Sequence, residues 1–418
     1  MLKLTTNESD MPEESGSVLD ELARQGARRM IMEALELEVA EYIDRTRSVR
    51  DEFDTALVVR NGHANERKLL TGCGSVKIAA PRINDKRLGR KFTSSILPPY
   101  MRRSPNLSEV LPILYLKGIS SGEFQGALQA LLGKDAAGLS AGSIGRLKAK
   151  WEDEYKSFKQ RYLGSSKHAY VFCDGVNVRV RLGDDPKVCL LVVIGVNQDG
   201  QKELLAVEEG YRESKESWAA VLRDLKRRGM VPPLLSVADG NLGFWAAATD
   251  VWPDTGEQRC WVHKIANVLD KLPKRLQGKA KSMLHEMMEA KDRDTALLEI
   301  EIFKEEYLAK YPKAVNCLAK DTNQLLTLFD FPAEHWVHLR TTNPIESSFA
   351  TVKARTKVTK GAGSREAALT MAFKLLTEAE KRWRRITGAH LVAKVLEGVE
   401  FKDGIEQAEV QIEEKVVA

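Results

Sequence analysis

The sequence lacks several features that would each place it in a well-known class. Its 418 residues hold five scattered cysteines and no C-x-x-C pair, which argues against a disulfide framework and favours a reducing compartment. No apolar run approaches the roughly 18 residues that a membrane span needs, and the polar, acidic start has no signal-peptide pattern. A Walker loop is also missing, so nucleotide hydrolysis has no support. We therefore expect a cytoplasmic protein with no membrane partner.

Charge is nearly balanced overall, at +5, so its distribution carries more information than its total. Between residues 82 and 103 the chain has seven Lys or Arg and one acid, Asp85. This stretch is either a solvated loop or a nucleic-acid-binding arm with Arg102 and Arg103 as DNA contacts. Residues 353–385 hold ten Lys or Arg against three Glu, and we select Lys353, Arg355 and Lys357 there as candidate DNA contacts.

Short helices joined by glycine-containing turns are predicted between residues 107 and 160. In the last of them, Ile144, Leu147 and Trp151 face inward, whereas the outward face is polar and basic. This pattern favours a helix-turn-helix whose DNA-contacting residues are Ser143, Arg146 and Lys150. Any small helical bundle would show the same apolar spacing, and the basic segment upstream favours the DNA-binding alternative.

Apolar strands appear after residue 167, and acidic residues follow two of them. Tyr170 to Cys173 reads as a strand that ends at Asp174-Gly175, and residues 234–238 as a strand that ends at Asp239-Gly240. Either Asp-Gly pair alone is an ordinary turn signal. Side chains at the ends of neighbouring buried strands, however, share the crevice where α/β sheets bind ligands. A third carboxylate, Glu346, heads a helix that continues into the basic segment, where a lone acid would repel phosphate unless a cation lay between them.

Three carboxylates in a phosphate-attracting surround are typical of a magnesium site. Two Mg²⁺ ions about 3.5–4 Å apart activate the attacking oxygen and stabilise the leaving oxygen in phosphodiester transfer. We therefore predict Asp174, Asp239 and Glu346 as both catalytic and metal-binding residues, with two Mg²⁺ ions that Mn²⁺ can replace.

The chain resembles the Mutator-type transposases of bacterial insertion sequences, which are DDE transposases with a ribonuclease H-like core. The resemblance spans roughly residues 20 to 395 and is carried by Asp174-Gly175, Ser236-Val237-Ala238-Asp239-Gly240, Gln258-Arg259-Cys260-Trp261-Val262-His263-Lys264, Thr342-Asn343-Pro344-Ile345-Glu346 and Arg355-Thr356-Lys357. It implies an α/β fold in which an all-α insertion domain interrupts the core and a mainly helical N-terminal region binds DNA. It also implies that the three carboxylates are the metal-binding triad.

Cys260 and His263 form a C-x-x-H pair that the family also carries. We predict that both support the site, with Cys260 packed inside and His263 orienting a metal-bound water or a DNA phosphate. The alternative is a structural zinc site completed by His335 and His338. Trp261 is expected in the core, with stacking on an unpaired base as the alternative.

These observations predict seven segments: 1–17 disordered, 18–104 helical and basic, 105–165 helix-turn-helix-like, 166–250 first part of the core, 251–338 insertion domain, 339–395 remainder of the core, and 396–418 acidic tail. The predicted function is a bacterial, nucleoid-associated DNA transposase that binds terminal inverted repeats and cleaves and joins DNA. Because two ends must be handled, its partners are double-stranded DNA and a second copy of the chain. The competing hypotheses are a non-catalytic DNA-binding regulator and a metal nuclease without strand transfer.

Overall fold

The computed structural model describes residues 18–107, 114, 124–132, 141–181, 187–358 and 360–407. These residues form a mixed α/β protein that separates into two compact units, Met1–Leu147 and Lys148–Ala418. The predictions for residues 1–17 and for residues 408–418 of the acidic tail lie outside the described residues. No helix among the described residues is long and apolar enough to cross a membrane.

The first unit opens with a long helix, α1 (Val18–Arg45), followed by four short strands. The strands are β1 (Val58–His63), β2 (Arg67–Thr71), β3 (Gly74–Ile78) and β4 (Pro81–Asp85). Strand β1 pairs with β4, and β2 pairs with β3, both antiparallel. The segment 18–104, predicted as helical and basic, thus combines one long helix with short strands.

Helix α1 buries only part of its apolar surface. Leu35 and Val39 are buried, and Leu35 packs with Leu69 and Ile78 of the strands. Other apolar residues of this helix are exposed: Leu19, Leu22, Met30 and Leu37. Apolar residues lie on both faces of this helix, so periodicity alone could not decide which face packs.

Asn61 and Gly62, a residue pair common in hairpin turns, lie within β1. The pairing of β1 with β4 shifts register between Arg60 and His63, and Gly62 has φ of 58° there. A positive φ suits glycine, so the pair forms an irregularity inside the strand rather than a hairpin turn.

Two further helices, α2 (Phe124–Leu132) and α3 (Ala141–Gln160), cover the described part of the proposed helix-turn-helix. The inward prediction for Trp151 is confirmed, since it is 3% exposed. The turn between the two helices and most of the preceding helix lie outside the described residues. The boundary between the units falls inside α3.

The second unit is built on a mixed sheet of five strands among its described residues, in the order β7-β6-β5-β8-β9. The strands are β5 (His168–Arg179), β6 (Lys187–Asn197), β7 (Lys202–Gly210), β8 (Leu235–Ala238) and β9 (Gly256–Arg259). Strands β5, β6 and β7 form an antiparallel meander, whereas β8 and β9 run parallel to β5.

Helices α4 (Lys215–Arg227) and α5 (Leu242–Val251) pack on each other and on this sheet. The side chain of Ser214 accepts a hydrogen bond from the Ser217 amide and caps α4. Trp218 and Phe244 meet edge to face in the shared core. These contacts hold the loops after β7 and β8 next to each other.

Two predicted boundaries in the sheet are wrong. Strand β5 does not end at Asp174 but runs through it to Arg179, with Asp174 paired to Val192 of β6. Residues 256–259, assigned to an all-helical region, form β9, because Gly256–Arg259 pairs with β8. The polar sequence of β9 gives no strand signal, although Gln258 and Arg259 are buried.

After β9 the described chain is helical. The helices are α6 (Trp261–Leu269), α7 (Lys274–Met288), α8 (Arg293–Tyr307), α9 (Pro312–Ala319), α10 (Thr322–Leu326), α11 (Trp336–Leu339), α12 (Asn343–Val358), α13 (Arg365–Glu380) and α14 (Leu391–Leu396), with 3₁₀ turns at Thr327–Asp330 and Ala333–His335. A short hairpin, β10 (Phe401–Lys402) and β11 (Ile405–Glu406), follows them. The basic segment is thus two helices, separated by a turn at Gly361, rather than one.

Candidate active site

Parallel pairing of β5 and β8 places two of the predicted carboxylates side by side. Tyr170–Cys173 pairs in register with Leu235–Ala238, and Cys173 and Ala238 form the last pair. The residues that follow this pair on the two strands are Asp174 and Asp239. Because neighbouring strands lie only about 4.8 Å apart, this register brings the two carboxyl groups together, although Asp174 is not at the end of its strand.

A third acid that the sequence reading missed, Glu213, joins this pair. One carboxylate oxygen from each of Asp174, Glu213 and Asp239 lies within 4.8 Å of the other two. Glu213 stands in the loop between β7 and α4, and its Oε2 accepts a hydrogen bond of 3.0 Å from Asn241 Nδ2. We call Asp174, Glu213 and Asp239 the acidic group.

Glycines give the acidic group its close packing. A Cβ atom on Gly175 would lie 2.6 Å from the Glu213 carboxylate, and one on Gly243 would lie 2.2 Å from the Glu213 carbonyl oxygen. The two glycines therefore leave the space in which the Glu213 loop approaches β5 and the start of α5. Asn241 caps α5 through the Gly243 amide and at the same time holds Glu213.

Burial and mutual repulsion make the acidic group receptive to a cation. Burial, followed by the negative charge of Asp239, raises the pKa of Asp174 to about 7. Burial and the same neighbour also raise the pKa of Glu213, against the opposing effects of Asn241 and His263. Carboxylates that repel one another in a partly desolvated place are stabilised by a positive ion.

The third predicted carboxylate, Glu346, belongs to a different group in this structure. Ligand atoms of Cys260, His263 and Glu346 lie within 4.8 Å of one another, and His263 Nδ1 is 3.7 Å from Glu346 Oε1. Thr342 Oγ1 donates a 2.6 Å hydrogen bond to Glu346 Oε1 and lies 3.4 Å from Cys260 Sγ. We call Cys260, His263 and Glu346 the mixed group.

His263 connects the two groups electrostatically. Contact with the Cys260 sulfur, supported by the charges of Glu346 and Asp239, raises the pKa of His263 to about 9 despite burial. Burial raises the pKa of Cys260, but the contacts with His263 and Thr342 outweigh it, and the net pKa is lowered. The positive charge of His263 in turn offsets part of the rise in the pKa values of Asp174 and Glu213.

A buried ion cluster anchors the helix that carries His263. Lys264, the next residue, is fully buried and donates 2.6 Å to the Cys317 carbonyl oxygen. It also pairs with Asp321, which Arg259 contacts as well. Removing one member of such a cluster would leave buried charge uncompensated, so the start of α6 is held firmly against α9 and α10.

The alternative zinc site with His335 and His338 is not supported. Tyr170 Oη donates to His335 Nδ1 at 2.6 Å, and His335 Nε2 donates to the Gly388 carbonyl at 3.0 Å. The Thr387 amide donates to His338 Nε2 at 2.8 Å. No metal-ligand group among the described residues joins these histidines to Cys260 and His263.

Trp261 is fully buried, and its indole nitrogen donates 3.0 Å to the Leu325 carbonyl oxygen. The core prediction is therefore confirmed, whereas stacking on a base would need an exposed ring face.

The candidate DNA contacts divide by burial. Lys353 and Lys357 are exposed on α12, but Arg355 is only 4% exposed and lies inside the unit. In the N-terminal half, Arg102, Arg146 and Lys150 are exposed. Lys150 lies 3.9 Å from Glu154. The Ser143 side chain lies outside the described residues.

Arg103, a residue of the predicted basic arm, is partly buried beside Arg146 of α3. Burial and the positive charge of Arg146 lower the pKa of Arg103. Two cations that the sequence reading assigned to separate DNA-binding elements are thus brought close together.

Comparison with known proteins gives a consistent family assignment. The model of the family "Transposase, Mutator family" matches residues 2–386. The chain is 53% identical over 298 residues to the transposase for insertion sequence element IS6120 of Mycolicibacterium smegmatis, an alignment covering 71% of this chain and 92% of that protein. It is 50% identical over 284 residues to the transposase for insertion sequence element IST2 of Acidithiobacillus ferrooxidans, covering 67% and 95%. A transposase for insertion sequence element ISRM5 of Rhizobium meliloti is 28% identical over 361 residues, covering 86% and 88%.

Proposed function

Because the chain belongs to the Mutator family of transposases, we propose that it is the transposase of an insertion sequence and works as a DDE enzyme. It binds the terminal inverted repeats of its element, hydrolyses the phosphodiester at each 3′ end, and uses the freed 3′-hydroxyl to attack target DNA. The observation that carries the catalytic part is the β5–β8 register, which aligns Asp174 with Asp239.

The acidic group fits magnesium by the chemistry of its donors. It offers three carboxylates within 4.8 Å, two of them with raised pKa values, and Mg²⁺ prefers oxygen ligands shared with substrate phosphate. We propose that Asp174 and Asp239 hold Mg²⁺ and that Glu213 adds a carboxylate which the sequence reading had not assigned. Glu346 is proposed as the third triad ligand on the basis of its family motif and its place beside His263.

Bound Mg²⁺ supplies a Lewis acid for both the hydrolysis step and the strand-transfer step. The protein's own side chains set up those steps. Asp174, in a paired strand, and Asp239, directly after one, would hold the cations, while Asn241 holds Glu213 in place. His263, with its raised pKa, presents a positive charge next to both groups, which suits a contact with a substrate phosphate.

For the domain organisation we propose a ribonuclease H-like core at 166–250 and 339–395, with the insertion domain at 251–338. Strand β9 modifies this proposal, because residues 256–259 extend the sheet of the core. The helices from α6 to α11 then form the insertion, which brings Cys260 and His263 to the site from its first turn. Residues 18–104 and 105–165 are proposed as the DNA-binding region.

One face of α12 offers a path for the DNA backbone. Glu346, Lys353 and Lys357 are separated by seven and four residues, so they lie along one side of the helix. Both lysines are exposed, and phosphate contacts of this kind position DNA without reading its sequence. In the N-terminal region, Arg102, Arg103, Arg146 and Lys150 are proposed to bind the inverted repeat. Two ends require two active sites, so the active form is proposed to be at least a homodimer.

The test is a cleavage and joining assay on DNA that carries the element's end, with Mg²⁺ or Mn²⁺ present. Asp174→Ala, Asp239→Ala and Glu346→Ala should each abolish both reactions while end binding, measured by fluorescence anisotropy, stays within about twofold. Asp250→Ala, which removes an exposed acid paired with Lys215, is the matched control and should keep full activity.

Retained cleavage in a variant that binds DNA normally would refute the assignment of that residue. Normal end binding by the unaltered protein without any cleavage would favour the non-catalytic regulator. Cleavage without joining would favour the metal nuclease.

A further inference from the structure

The mixed group contains a buried donor atom with no bonding partner. His263 Nδ1 is buried and makes no hydrogen bond within the described part of the chain. The nearest carboxylate oxygen, Glu346 Oε1, is 3.7 Å from this nitrogen, beyond hydrogen-bonding range. Buried polar atoms almost always have a bonding partner, so an unpartnered ring nitrogen suggests that a ligand binds there.

The three donors of the mixed group differ in kind from those of the acidic group. Cys260 offers sulfur, His263 a ring nitrogen and Glu346 a carboxylate oxygen. Thiolate and imidazole ligands suit Zn²⁺, whereas Mg²⁺ prefers oxygen alone. The two groups therefore select for different cations even though they are neighbours.

The spacing of the donors also fits a small tetrahedral ion. Zinc bonds of about 2.0–2.3 Å place two ligands about 3.3–3.7 Å apart, and His263 Nδ1 is 3.7 Å from Glu346 Oε1. Their side chains are 37% and 33% exposed, which leaves a route from solvent. Cys260 Sγ lies at the closed end, where the Thr342 amide approaches it at 3.4 Å.

We propose that Cys260, His263 and Glu346 bind one Zn²⁺ ion, with water as the fourth ligand, at a site distinct from the acidic group. The zinc site itself does not depend on the proposed function. The consequence of zinc binding does rest on the proposed function. A zinc ion bound here occupies the Glu346 carboxylate, so zinc and catalytic magnesium compete for the same side chain. The site is thus a means by which zinc holds the enzyme in an inactive form.

The full-length protein, freed of metal with a chelator, is titrated with Co²⁺ as a coloured substitute for Zn²⁺. Binding of one Co²⁺ should produce a thiolate charge-transfer band in the near ultraviolet together with the visible bands of tetrahedral cobalt. Stoichiometric Zn²⁺ should abolish both, and millimolar Mg²⁺ should not.

Cys260→Ser should remove the charge-transfer band. His263→Gln and Glu346→Gln should weaken Co²⁺ binding at least tenfold. Cys73→Ser, which removes the exposed cysteine elsewhere in the chain, is the matched control and should leave the spectrum unchanged. A thermal unfolding curve for each variant without metal shows that it is folded.

The proposal is overturned if the unaltered protein gives no band, or if the bands persist at full strength in folded Cys260→Ser or His263→Gln. Binding that is lost in Cys73→Ser would also overturn it. None of these readouts uses DNA cleavage, so the zinc site and the transposase proposal fail independently.

Discussion

The acidic group and the mixed group lie next to each other, but different kinds of contact hold their residues in place. The acidic group takes its residues from the sheet and from a loop held against it, and its oxygens are fixed by strand register and by Asn241. The mixed group takes its residues from the first turns of α6 and α12, and Thr342 links Cys260 with Glu346. Backbone pairing thus sets one group, and side-chain contacts between helices set the other.

This difference bears on how much each group can change. Asp174 lies in a paired strand, and Asp239 directly follows one and accepts a hydrogen bond from the Asn241 amide, so both have little freedom, as a catalytic metal site requires. Glu346 is held by one hydroxyl and a distant imidazole, so its carboxylate can move by a rotamer change. We therefore expect substitutions of the two aspartates to affect the chemical step, and substitutions of Glu213 and of the residues around it to change metal affinity.

The largest expected effect is that of Asp239→Asn. The amide keeps the shape of the side chain but loses the charge, so we expect cleavage of end DNA to fall by about 10³-fold or more. Single-turnover cleavage rates with saturating Mg²⁺ measure the effect, and Asp250→Asn on the exposed face of α5 is the control. A loss of less than tenfold would mean that the acidic group is not the reaction centre.

Glu213→Gln should have an intermediate effect. Removing one charge from three weakens the hold on Mg²⁺ without removing the aligned aspartates, so we expect a loss of about 10–100-fold in metal affinity. The Mg²⁺ dependence of cleavage and Mn²⁺ binding by calorimetry both report it. Glu216→Gln, an exposed acid in the first turn of α4, should change neither, and an unaltered Mg²⁺ dependence in Glu213→Gln would show that Glu213 lies outside the metal site.

Gly175→Ala should have a smaller effect of the same kind. The added methyl would lie 2.6 Å from the Glu213 carboxylate, which is the end of a flexible side chain and can shift. We expect a several-fold loss of Mg²⁺ affinity that is absent when Gly175→Ala is combined with Glu213→Gln. Additive losses in the double variant would show that Gly175 acts by another route.

The smallest expected effect concerns His338, which the alternative zinc site included but which lies outside both the acidic group and the mixed group. Burial, with the charges of Lys202 and His335, lowers the pKa of His338 to about 4. The unfolded chain takes up this proton near pH 6.5, so stability is complete above that pH and is lost as the pH falls towards 4. Because the site is partly exposed, we expect a loss on the order of 1 kcal/mol.

Urea unfolding at several pH values measures this loss, and His338→Gln should flatten the curve between pH 6.5 and 4. The same variant should leave Co²⁺ binding unchanged. If the free energy of unfolding of His338→Gln falls with pH as much as that of the unaltered protein, His338 does not contribute to the loss of stability in acid.

Asp174 and Asp239 could be identified from the sequence because each directly follows a run of apolar residues, and such runs predict buried strands. Glu213 carries no such mark. It precedes a capped helix, where acids are ordinary, and only the folded sheet shows that its loop reaches Asp174. A residue contributed by a loop to a site made elsewhere has no local signal.

Arg355 was selected as a DNA contact because it lies in a basic segment, but a count of charges does not show which side chains are exposed. Lys353 and Arg355 are about 200° apart around a helix, whereas Lys353 and Lys357 share a face. A basic run on a helix therefore cannot face one partner with all its members, and burial of Arg355 follows from the same geometry. Strand β9 was missed for a different reason, since Gly256–Arg259 contains no apolar side chain that would indicate a strand.

The position of β5 in the middle of the sheet has a consequence for folding kinetics. It pairs with β6, which follows it closely, but also with β8, and α12 and α14 from much later in the chain pack against it. Contacts of such long sequence separation require costly loop closures and slow the search for the native state. We therefore expect refolding of the second unit to be slow, with the repelling acids brought together in one of its last steps.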